Sequence, residues 1–259
     1  WYSKKVNGGS DIEIDEDDKI DGSWSGVPLN FPRIQGGDIC GKIVDVGNNV
    51  NSNRIGERVL VRSMQNLPNS NNPYEMQTIG SEIDGGFAEY CATKANEAFP
   101  INCNWTDVEL ASIPISYSTA EGLLNRANIQ EETILITGAS GGVGSAVVQL
   151  AKIRGANIIA QCSKEKSNVL KKLGSKKTIC RDDSPLKTLG KNSVDAVIDL
   201  VGGDQWPQLL DIIKPGGKYV TSGAIAGPLV DLDLRTLYLK DLTLFGSTVN
   251  DPYVFENVI

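Results

Sequence analysis

Residues 134–144 read Ile-Leu-Ile-Thr-Gly-Ala-Ser-Gly-Gly-Val-Gly, and this stretch decides the fold. A short apolar, β-forming run over residues 133–136 breaks into a glycine turn, and apolar residues then recur at helical spacing over residues 143–153. The spacing predicts a buried helix face that consists of Val143, Val147, Leu150, Ala151 and Ile153. Strand, glycine turn and helix in this order are typical of the start of a nucleotide-binding βαβ unit.

The glycine turn therefore predicts a dinucleotide-binding loop. Glycine lets the backbone turn tightly and approach a pyrophosphate, which then sits on the free N–H groups at the helix start. We expect the cofactor to contact the residues of the turn: Gly138, Ala139, Ser140, Gly141, Gly142, Val143 and Gly144.

The composition is that of an ordinary globular protein of one or two domains. The 259 residues are 40% hydrophobic and 22% charged, with a formal net charge of −7. Residues 11–21 are strongly acidic, and we interpret them as a solvated run within a largely irregular segment, residues 1–30. An acidic chain without a basic stripe argues against a nucleic-acid partner, and no apolar run is long enough to span a membrane.

Cysteine and histidine usage bears on the compartment and on metals. The five cysteines are odd in number and widely spaced, which favours reduced thiols in a cytoplasmic protein over a disulfide framework. Histidine does not occur in the sequence. The chain begins with Trp1 and Tyr2 rather than methionine, so we expect a native N-terminus, with any targeting signal, to lie outside it.

The first hundred residues predict short strands separated by loops, hence a small, irregular β-rich domain. The strand candidates are Ile39–Val46, Arg58–Arg62 and Phe87–Ala92. Thr106, with Glu109 three residues later, predicts a capped helix that runs towards Ile113. A second helix is predicted at about 118–127.

Strands and helices then alternate, which predicts a parallel sheet with helices on both faces. The predicted strands are Thr133–Ile136, Ile158–Gln161, Thr178–Cys180, Val194–Leu200, Lys218–Thr221 and Leu242–Phe245. The predicted helices after the glycine turn are Val143–Ile153, Lys164–Leu173 and Asp204–Ile213.

Short motifs over most of the chain add a family resemblance. They are Phe-Pro-Arg-Ile-Gln-Gly-Gly-Asp-Ile-Cys-Gly at 31–41, Val-Asp-Val-Gly at 44–47, Gly-Glu-Arg-Val at 56–59, Gly-Gly-Phe-Ala-Glu-Tyr at 85–90, and Ser-Ile-Pro at 112–114 with Ser-Thr-Ala at 118–120. With the glycine turn, they resemble the medium-chain dehydrogenases/reductases of the alcohol dehydrogenase superfamily, in particular the zinc-independent, quinone-oxidoreductase-like branch.

The resemblance implies an α/β protein with two domains. A GroES-like β-rich catalytic domain, incomplete at its N-terminal side, would occupy residues 1–107. A Rossmann domain, a doubly wound parallel sheet that binds NADP, would occupy residues 108–259. The resemblance also implies a longer protein, which begins earlier and continues past Ile259 back to the catalytic domain.

Two departures from the zinc-dependent relatives predict that no metal is bound. Those relatives place a histidine ligand at the position of Gly37, and they carry a four-cysteine lobe where residues 62–84 contain no cysteine. Structural zinc needs closely spaced thiolate or imidazole ligands, and catalytic zinc usually needs at least one imidazole. We therefore interpret Cys40 as a small side chain packed in a strand.

The cofactor is predicted to be NADPH rather than NADH. Rossmann domains that bind NAD place an acid at the end of the second strand, where this chain has Cys162 and Ser163. Lysines follow, and some of them belong to a solvated helix face. The resemblance implies that Ser163, Lys166 and Arg181 bind the 2′-phosphate, for which charge-assisted hydrogen bonds are suited.

The resemblance also implies contacts to the ribose and the nicotinamide, with strand-end turns and core packing as the alternative roles for the same residues. The residues concerned are Thr119, Val201, Gly202, Gly223, Ala224, Ile225, Phe245, Gly246 and Ser247.

The expected reaction is hydride transfer from NADPH to an enone, quinone or other carbonyl without zinc. An enone or quinone spreads the incoming charge over a conjugated oxygen, so hydrogen bonds can replace a Lewis acid. Tyr117 is the candidate donor, and packing for Tyr117 with a proton from solvent is the alternative. We expect no nucleic-acid or membrane partner, and a homodimer or homotetramer.

Three other functions compete with this interpretation. The glycine turn also fits the short-chain dehydrogenases, but those begin with their nucleotide strand, whereas here about half of the chain precedes it. A zinc-free NADPH-binding regulatory or structural protein with little turnover stays open. So does a carbonyl or alcohol dehydrogenase of the same family.

Overall fold

The computed structural model describes residues 31–259. The predicted N-terminal loop and its acidic run lie outside these described residues. The described chain divides into two compact units: unit 1 contains residues 31–118 and 249–259, and unit 2 contains residues 119–248. The domain boundary at 107/108 inferred from the sequence stays a prediction.

Unit 1 is built on a three-stranded antiparallel sheet with the order β1-β2-β5. Its strands are β1 (Ile39–Lys42), β2 (Arg58–Val61) and β5 (Ala98–Pro100). In the central strand, Leu60 lies opposite Cys40 on one side and Phe99 on the other. Two of the predicted strands are thus present in a shorter form, and β5 was not predicted.

A separate antiparallel hairpin follows β2 in the chain. It pairs β3 (Met64–Asn66) with β4 (Met76–Thr78). Neither strand shows a continuous apolar pattern, and the sequence did not predict the hairpin.

The strand predicted at Phe87–Ala92 is wrong, because the structure has bends and loop there. The backbone N–H of Phe87 donates to Gln35 O at 2.9 Å, and that of Gly86 donates to Gly36 O at 2.7 Å. These bonds tie the start of the segment to a loop instead of a sheet ladder. Phe87 is 80% exposed, so its β-forming side chain finds no buried face here.

Three helices contribute to unit 1: α1 (Asp107–Leu110), the first residues of α2 (Pro114–Arg126), and α8 (Pro252–Glu256). The predicted capping box is confirmed, because Thr106 Oγ1 accepts from the N–H of Glu109 and the Glu109 carboxylate accepts from the N–H of Thr106. Helix α2 begins at Pro114, earlier than predicted, since proline is well suited to the first helical turn.

The core of unit 1 joins parts of the chain that are far apart in sequence. Its buried members are Leu60 of β2, Leu110 and Ile113 around α1, and Phe255 of α8. The rings of Phe99 and Phe255 pack with their centroids 5.1 Å apart. The residues of α8 thus complete a core that begins in β2.

Unit 2 is a six-stranded parallel sheet with the order β11-β10-β9-β6-β7-β8. The strands are β6 (Thr133–Ile136), β7 (Asn157–Cys162), β8 (Lys177–Cys180), β9 (Val194–Asp199), β10 (Ile213–Thr221) and β11 (Thr243–Gly246). The predicted parallel sheet is confirmed. The chain runs outward from β6 to β8 and then restarts at β9 on the other side of β6, so the topological switch point lies between β6 and β9.

The helices of unit 2 connect these strands. After α2 they are α3 (Gly142–Ile153), α4 (Ser167–Leu173), α5 (Pro185–Leu189), α6 (Trp206–Ile212) and α7 (Leu234–Leu239). The short helices α5 and α7 were not predicted. The predicted helices at 164–173 and 204–213 each begin with a 3₁₀ turn instead of an α-helical one.

The buried face of α3 differs from the predicted one at its C-terminal end. Val147 and Ala151 are buried as predicted, but Ile153 is 81% exposed. At 100° per residue, Ile153 points within about 20° of the buried Ala146, so direction alone does not explain its exposure. Ile153 is the last residue of α3, where the helix ends. Among residues 31–259, no helix is both long and apolar enough to cross a membrane.

Candidate dinucleotide-binding site

The glycine turn joins β6 to α3 as predicted. Gly138 has a φ of +56°, in the left-handed region that favours glycine. The N–H of Ala139 donates to Gln161 O at 3.1 Å and ties the turn to β7. Gly141 is the N-cap of α3 and supplies no side-chain acceptor. The N–H groups in the first turn of α3 are therefore available to an anion.

The glycines of the turn serve different purposes. A Cβ atom on Gly144 would lie 2.4 Å from Gly138 O and 2.6 Å from Ala139 Cα, so only glycine lets α3 begin this close to the turn. A Cβ atom on Gly141 would have only Gly138 O as a neighbour, at 3.5 Å. Ser140, Gly141 and Gly142 are exposed. The tip of the turn is thus open on the side where a phosphate group would bind.

A cavity of about 390 Å³ lies at the carboxyl ends of β7 and β8. It is lined by Cys162, Ser163, Lys164, Ser167, Thr178, Ile179, Cys180 and Asp183. Burial raises the pKa of the Cys162 thiol, with Cys180 and Glu165 adding to the effect, so this thiol is protonated near neutral pH. The end of a second Rossmann strand is where the adenosine ribose of a dinucleotide binds.

The cavity contains only one of the three residues assigned to the 2′-phosphate. Ser163 lines it, whereas Lys166 and Arg181 are not among the lining residues. The side chain of Arg181 is 70% exposed and lies 3.8 Å from an Asp182 carboxylate oxygen. Lys164, which the sequence did not single out, lines the cavity instead.

Two side-chain amides, the buried Gln161 and the half-buried Gln205, connect the loops around this cavity. Gln161 Nε2 donates to Gln205 Oε1 at 2.9 Å, and Gln205 Nε2 donates to Arg181 O at 3.0 Å. Gln161 also accepts from Ala139 through its backbone oxygen. The pair therefore links the glycine turn, the end of β7 and the loop after β8. Sequence analysis missed it because a single glutamine carries no motif.

Asp199 is a buried carboxylate at the end of β9, beside the switch point. It is 0% exposed and accepts from Thr137 Oγ1 at 2.5 Å and from the Tyr219 hydroxyl at 2.6 Å. Burial raises the pKa of Tyr219, and the neighbouring Asp199 raises it further. The tyrosine therefore stays a neutral donor.

The loops after β9 and β10 are hydrogen-bonded to each other. The N–H of Ala226 donates to Val201 O at 2.8 Å, and the N–H of Gly203 donates to Gly227 O at 3.1 Å. Gly202 has a φ of +66°, and a Cβ atom there would lie 2.7 Å from Gly227 O. Of the residues assigned to the ribose and nicotinamide, Val201 and Gly202 lie in the first loop.

Six further residues of that assignment lie at two places on the sheet, and the last, Thr119, lies in α2. Gly223, Ala224 and Ile225 follow β10, and Ile225 is 71% exposed. Phe245 and Gly246 end β11, and Ser247 is buried, with its N–H donating to Thr221 O at 2.9 Å. These loops share the carboxyl edge of the sheet with the glycine turn, because all six strands are parallel.

Tyr117 and Thr119 both lie in α2, on either side of the division between the two units. Tyr117 is half-buried and packs against the unit 1 core that contains Leu60 and Phe255. This contact is that of a packing residue. The catalytic role of Tyr117 and the cofactor contact of Thr119 stay predictions.

Gly37 stands where the zinc-dependent relatives are expected to have a histidine ligand, and it has no side chain to offer a metal. A Cβ atom on Gly37 would lie 2.9 Å from Ile115 Cδ1 and 3.1 Å from Ile79 O, so a larger residue there would require both neighbours to shift. Cys40 is half-buried against the unit 1 core, as expected for a packed side chain. Among residues 31–259, no three His, Cys, Asp or Glu side chains are grouped so that they could bind a metal ion.

A Tyr-x-x-x-Lys spacing, which short-chain dehydrogenases use for proton transfer, occurs at Tyr90 and Lys94. Tyr90 is 74% exposed, and Lys94 Nζ donates to Asn66 O at 2.7 Å. Both residues lie in unit 1, whereas the glycine turn lies in unit 2. The spacing therefore does not form part of the nucleotide-binding unit.

Two protein families match the chain. Residues 7–103 match the alcohol dehydrogenase GroES-like domain, and residues 142–259 match the zinc-binding dehydrogenase family. Together with the antiparallel sheet of unit 1 and the parallel sheet of unit 2, these matches decide the classification. The chain belongs to the medium-chain dehydrogenase/reductase superfamily. The predicted fold class is confirmed.

Individual members of the superfamily resemble the chain over most of its length. A quinone oxidoreductase-like protein 2 homologue of Nematostella vectensis is 30% identical over 83% of this chain and 56% of its own length. The crystal structure of a candidate alcohol dehydrogenase from Sinorhizobium meliloti 1021 is 42% identical with a TM-score of 0.83, over 88% of this chain and 65% of that one.

A third relative has a cofactor bound. The crystal structure of Bacillus subtilis YhfP contains NAD and is 28% identical with a TM-score of 0.71, over 88% of this chain and 68% of that one. The chain therefore spans about half to two thirds of the length of the relatives that it matches.

Proposed function

We propose that the protein is an oxidoreductase that binds NADPH at the carboxyl edge of the unit 2 sheet and reduces an enone or quinone without zinc. The observation that carries the proposal is the open tip of the glycine turn, where Ser140, Gly141 and Gly142 are exposed at an uncapped helix start. Membership in a superfamily of dehydrogenases and reductases supports a redox role for this site.

The residues of unit 2 would bind and orient the dinucleotide at three places along the carboxyl edge of the sheet. The first-turn N–H groups of α3 would bind the pyrophosphate. The cavity beside Ser163 would hold the adenosine ribose, and the loop that contains Val201 and Gly202 would lie towards the other half. When bound, NADPH supplies a hydride to the substrate.

The preference for NADPH is supported by the end of β7. An NAD-specific site would place an acid there, but Cys162 and Ser163 occupy the end of the strand. Lys164 lines the cavity and is the cation that we assign to the 2′-phosphate. Asp183 lines the same cavity and would oppose that anion. Removing Asp183 should therefore increase the preference for NADPH.

The substrate class follows from the donors that the chain can offer. A simple ketone or alcohol needs strong stabilisation of an alkoxide, for which a metal is the usual solution, and Gly37 offers no side chain where the zinc-dependent relatives are expected to have a histidine ligand. The conjugated oxygen of an enone or quinone needs only hydrogen bonds. Because Tyr117 packs into the unit 1 core, we assign the final proton to solvent.

An alcohol dehydrogenase is the second candidate. The relative with 42% identity is a candidate alcohol dehydrogenase, which favours this alternative. Initial rates with NADPH on a small quinone and an enone, compared with NADP on a secondary alcohol, separate the two functions. We expect quinone or enone reduction to be faster. Faster alcohol oxidation, or one tightly bound zinc per chain by elemental analysis, would contradict the proposal.

The cofactor assignment is tested by three alanine variants. Lys164→Ala should weaken NADPH binding about ten- to hundredfold and leave NADH nearly unchanged, since a charge-assisted hydrogen bond contributes roughly 1.5–3 kcal/mol. Arg181→Ala should have a smaller effect of the same kind, because its side chain is 70% exposed. Lys171→Ala, on the neighbouring helix α4 but not in the cavity lining, is the matched control.

Titration of both dinucleotides by fluorescence measures these effects. An equal loss of NADPH and NADH affinity in Lys164→Ala would refute the assignment of the 2′-phosphate to this residue. A homodimer or homotetramer is proposed from the family resemblance, and light scattering during size-exclusion chromatography tests it.

A further inference from the structure

Three strand ends meet at the topological switch point of the unit 2 sheet. Thr137 follows β6, Asp199 ends β9, and Tyr219 lies near the end of β10. All three side chains are buried, and their oxygens form one hydrogen-bonded group centred on the Asp199 carboxylate. A crevice at a switch point is where doubly wound sheets bind ligands.

The Asp199 carboxylate also accepts from the backbone that follows it. The N–H of Val201 lies 3.0 Å from Oδ1, and the N–H of Gly202 lies 3.2 Å from each carboxylate oxygen. Thr137 Oγ1 in turn accepts from the N–H of Leu200 at 2.9 Å. Asp199 and Thr137 together therefore fix three successive N–H groups, from residue 200 to residue 202.

This arrangement sets the shape of a whole loop. Gly202 is held with a φ of +66°, which directs the chain towards the loop after β10. The two loops are then joined by the bonds from Ala226 to Val201 O and from Gly203 to Gly227 O. A change at Asp199 would release both loops, although the carboxylate itself is beneath them.

The partners of Asp199 are all uncharged donors, two hydroxyls and two backbone N–H groups. A buried carboxylate without a cation is costly to desolvate, and an apolar side chain would fill such a core position with less loss. The bonds from Val201 and Gly202 explain why a carboxylate occupies this position, because an apolar side chain could not accept from these N–H groups and orient them.

We propose that Asp199 is a positioning residue for the dinucleotide, which acts by holding the Val201–Gly202 turn in the conformation that binds the cofactor. The inference rests on the proposed function, since it presumes a dinucleotide at this edge. The Val201–Gly202 turn would contact a part of the dinucleotide that NADPH and NADH share, so a change at Asp199 affects the binding of both. A change at Lys164, which we assign to the 2′-phosphate, affects the binding of NADPH alone.

The test compares Asp199→Asn with Asp195→Asn. Asp195 is the matched control, because it lies on the same strand at the opposite end, where it accepts from the N–H of Thr133 at 2.8 Å and from Lys214 at 2.7 Å. Asparagine is close in shape, but its amide group cannot accept the bonds that one carboxylate oxygen accepts. Both variants lose a carboxylate of β9, but only Asp199→Asn removes bonds to the Val201–Gly202 turn.

Two measurements are made on the full chain and both variants. Titration gives the dissociation constants of NADPH and NADH, and hydrogen exchange with mass spectrometry gives the protection of residues 200–203 and 224–227. Asp199→Asn should raise both dissociation constants by the same factor, about tenfold or more, and should speed exchange in both loops. Asp195→Asn should do neither.

The outcomes separate the inference from the proposed function. Wild-type affinity for both dinucleotides in Asp199→Asn, or unchanged exchange in the two loops, would overturn the inference alone. A wild-type chain that binds neither dinucleotide would refute the proposed function and the inference with it. If Asp199→Asn does not fold, Tyr219→Phe replaces it, since the ring keeps its edge contact with Trp206 at 5.7 Å between centroids. That variant should weaken both cofactors to a smaller and equal extent, and unchanged affinity would again overturn the inference.

Discussion

Replacing Gly144 by alanine should destabilise unit 2 by forcing apart two pieces of backbone. The new methyl carbon would lie 2.4 Å from Gly138 O and 2.6 Å from Ala139 Cα, and neither atom belongs to a side chain that could rotate away. Overpacking of this kind costs about 3 kcal/mol at the upper end of its usual range. Alanine recovers about 1 kcal/mol because it is a better helix former than glycine. The net loss is therefore about 2 kcal/mol.

Thermal unfolding followed by circular dichroism measures this loss. At about 2–4 °C per kcal/mol, the transition of Gly144→Ala should fall by about 4–8 °C. Gly141→Ala is the matched control, because its methyl carbon would meet only Gly138 O at an ordinary 3.5 Å. The control should unfold within about 2 °C of wild type, yet bind NADPH weakly, since its methyl group would occupy the phosphate side of the turn. A Gly144→Ala protein that unfolds at the wild-type temperature would refute the packing argument.

Two further predictions concern unit 1. Glu97→Gln should lower the free energy of unfolding, measured in denaturant, by about 3–5 kcal/mol. The reason is that buried Arg62 loses the carboxylate whose oxygens it contacts at 2.7 and 2.9 Å. A loss below about 1 kcal/mol would contradict this. Asp38→Asn should be at least as stable as wild type at pH 7, since burial raises the pKa of Asp38 and Asn can still accept from the N–H of Ile115. Wild-type stability relative to this variant should rise as pH falls through the raised pKa towards 3.8, because the partly desolvated carboxylate then becomes neutral. A difference that is independent of pH would contradict this.

Local patterns were sufficient for the part of the fold to which we assign the cofactor. The strand at Thr133–Ile136 was predicted with its observed bounds, because a central parallel strand is buried on both faces and reads as an unbroken apolar run. The capping box at Thr106 and Glu109 was equally clear, since both partners lie within one helical turn. In each case, the signal and the structure that it predicts are close together in sequence.

Features that depend on distant partners could not be predicted in this way. Phe87–Ala92 has the composition of a strand, but the N–H of Phe87 bonds to Gln35 O, in a loop about fifty residues earlier. The resemblance assigned Lys166 and Arg181 to the 2′-phosphate, and that assignment stays a prediction, whereas Lys164 lines the cavity at the end of β7. Asp199 was missed because its hydroxyl partners, Thr137 and Tyr219, lie 62 and 20 positions away in the sequence.

The return of residues 249–259 to unit 1 has a consequence for how the protein is made. Arg62 Nη1 donates to Asn250 O, a partner 188 positions later in the chain, and the ring of Phe99 packs against Phe255. At a synthesis rate of about 5–20 residues per second, these partners leave the ribosome about 10–40 s after the strand that needs them. All residues of unit 2 from 119 to 248 emerge during that interval as one continuous segment. Unit 2 can therefore fold while it is being synthesised, and the β-rich unit that precedes it in the chain receives residues 249–259 only after unit 2 has emerged.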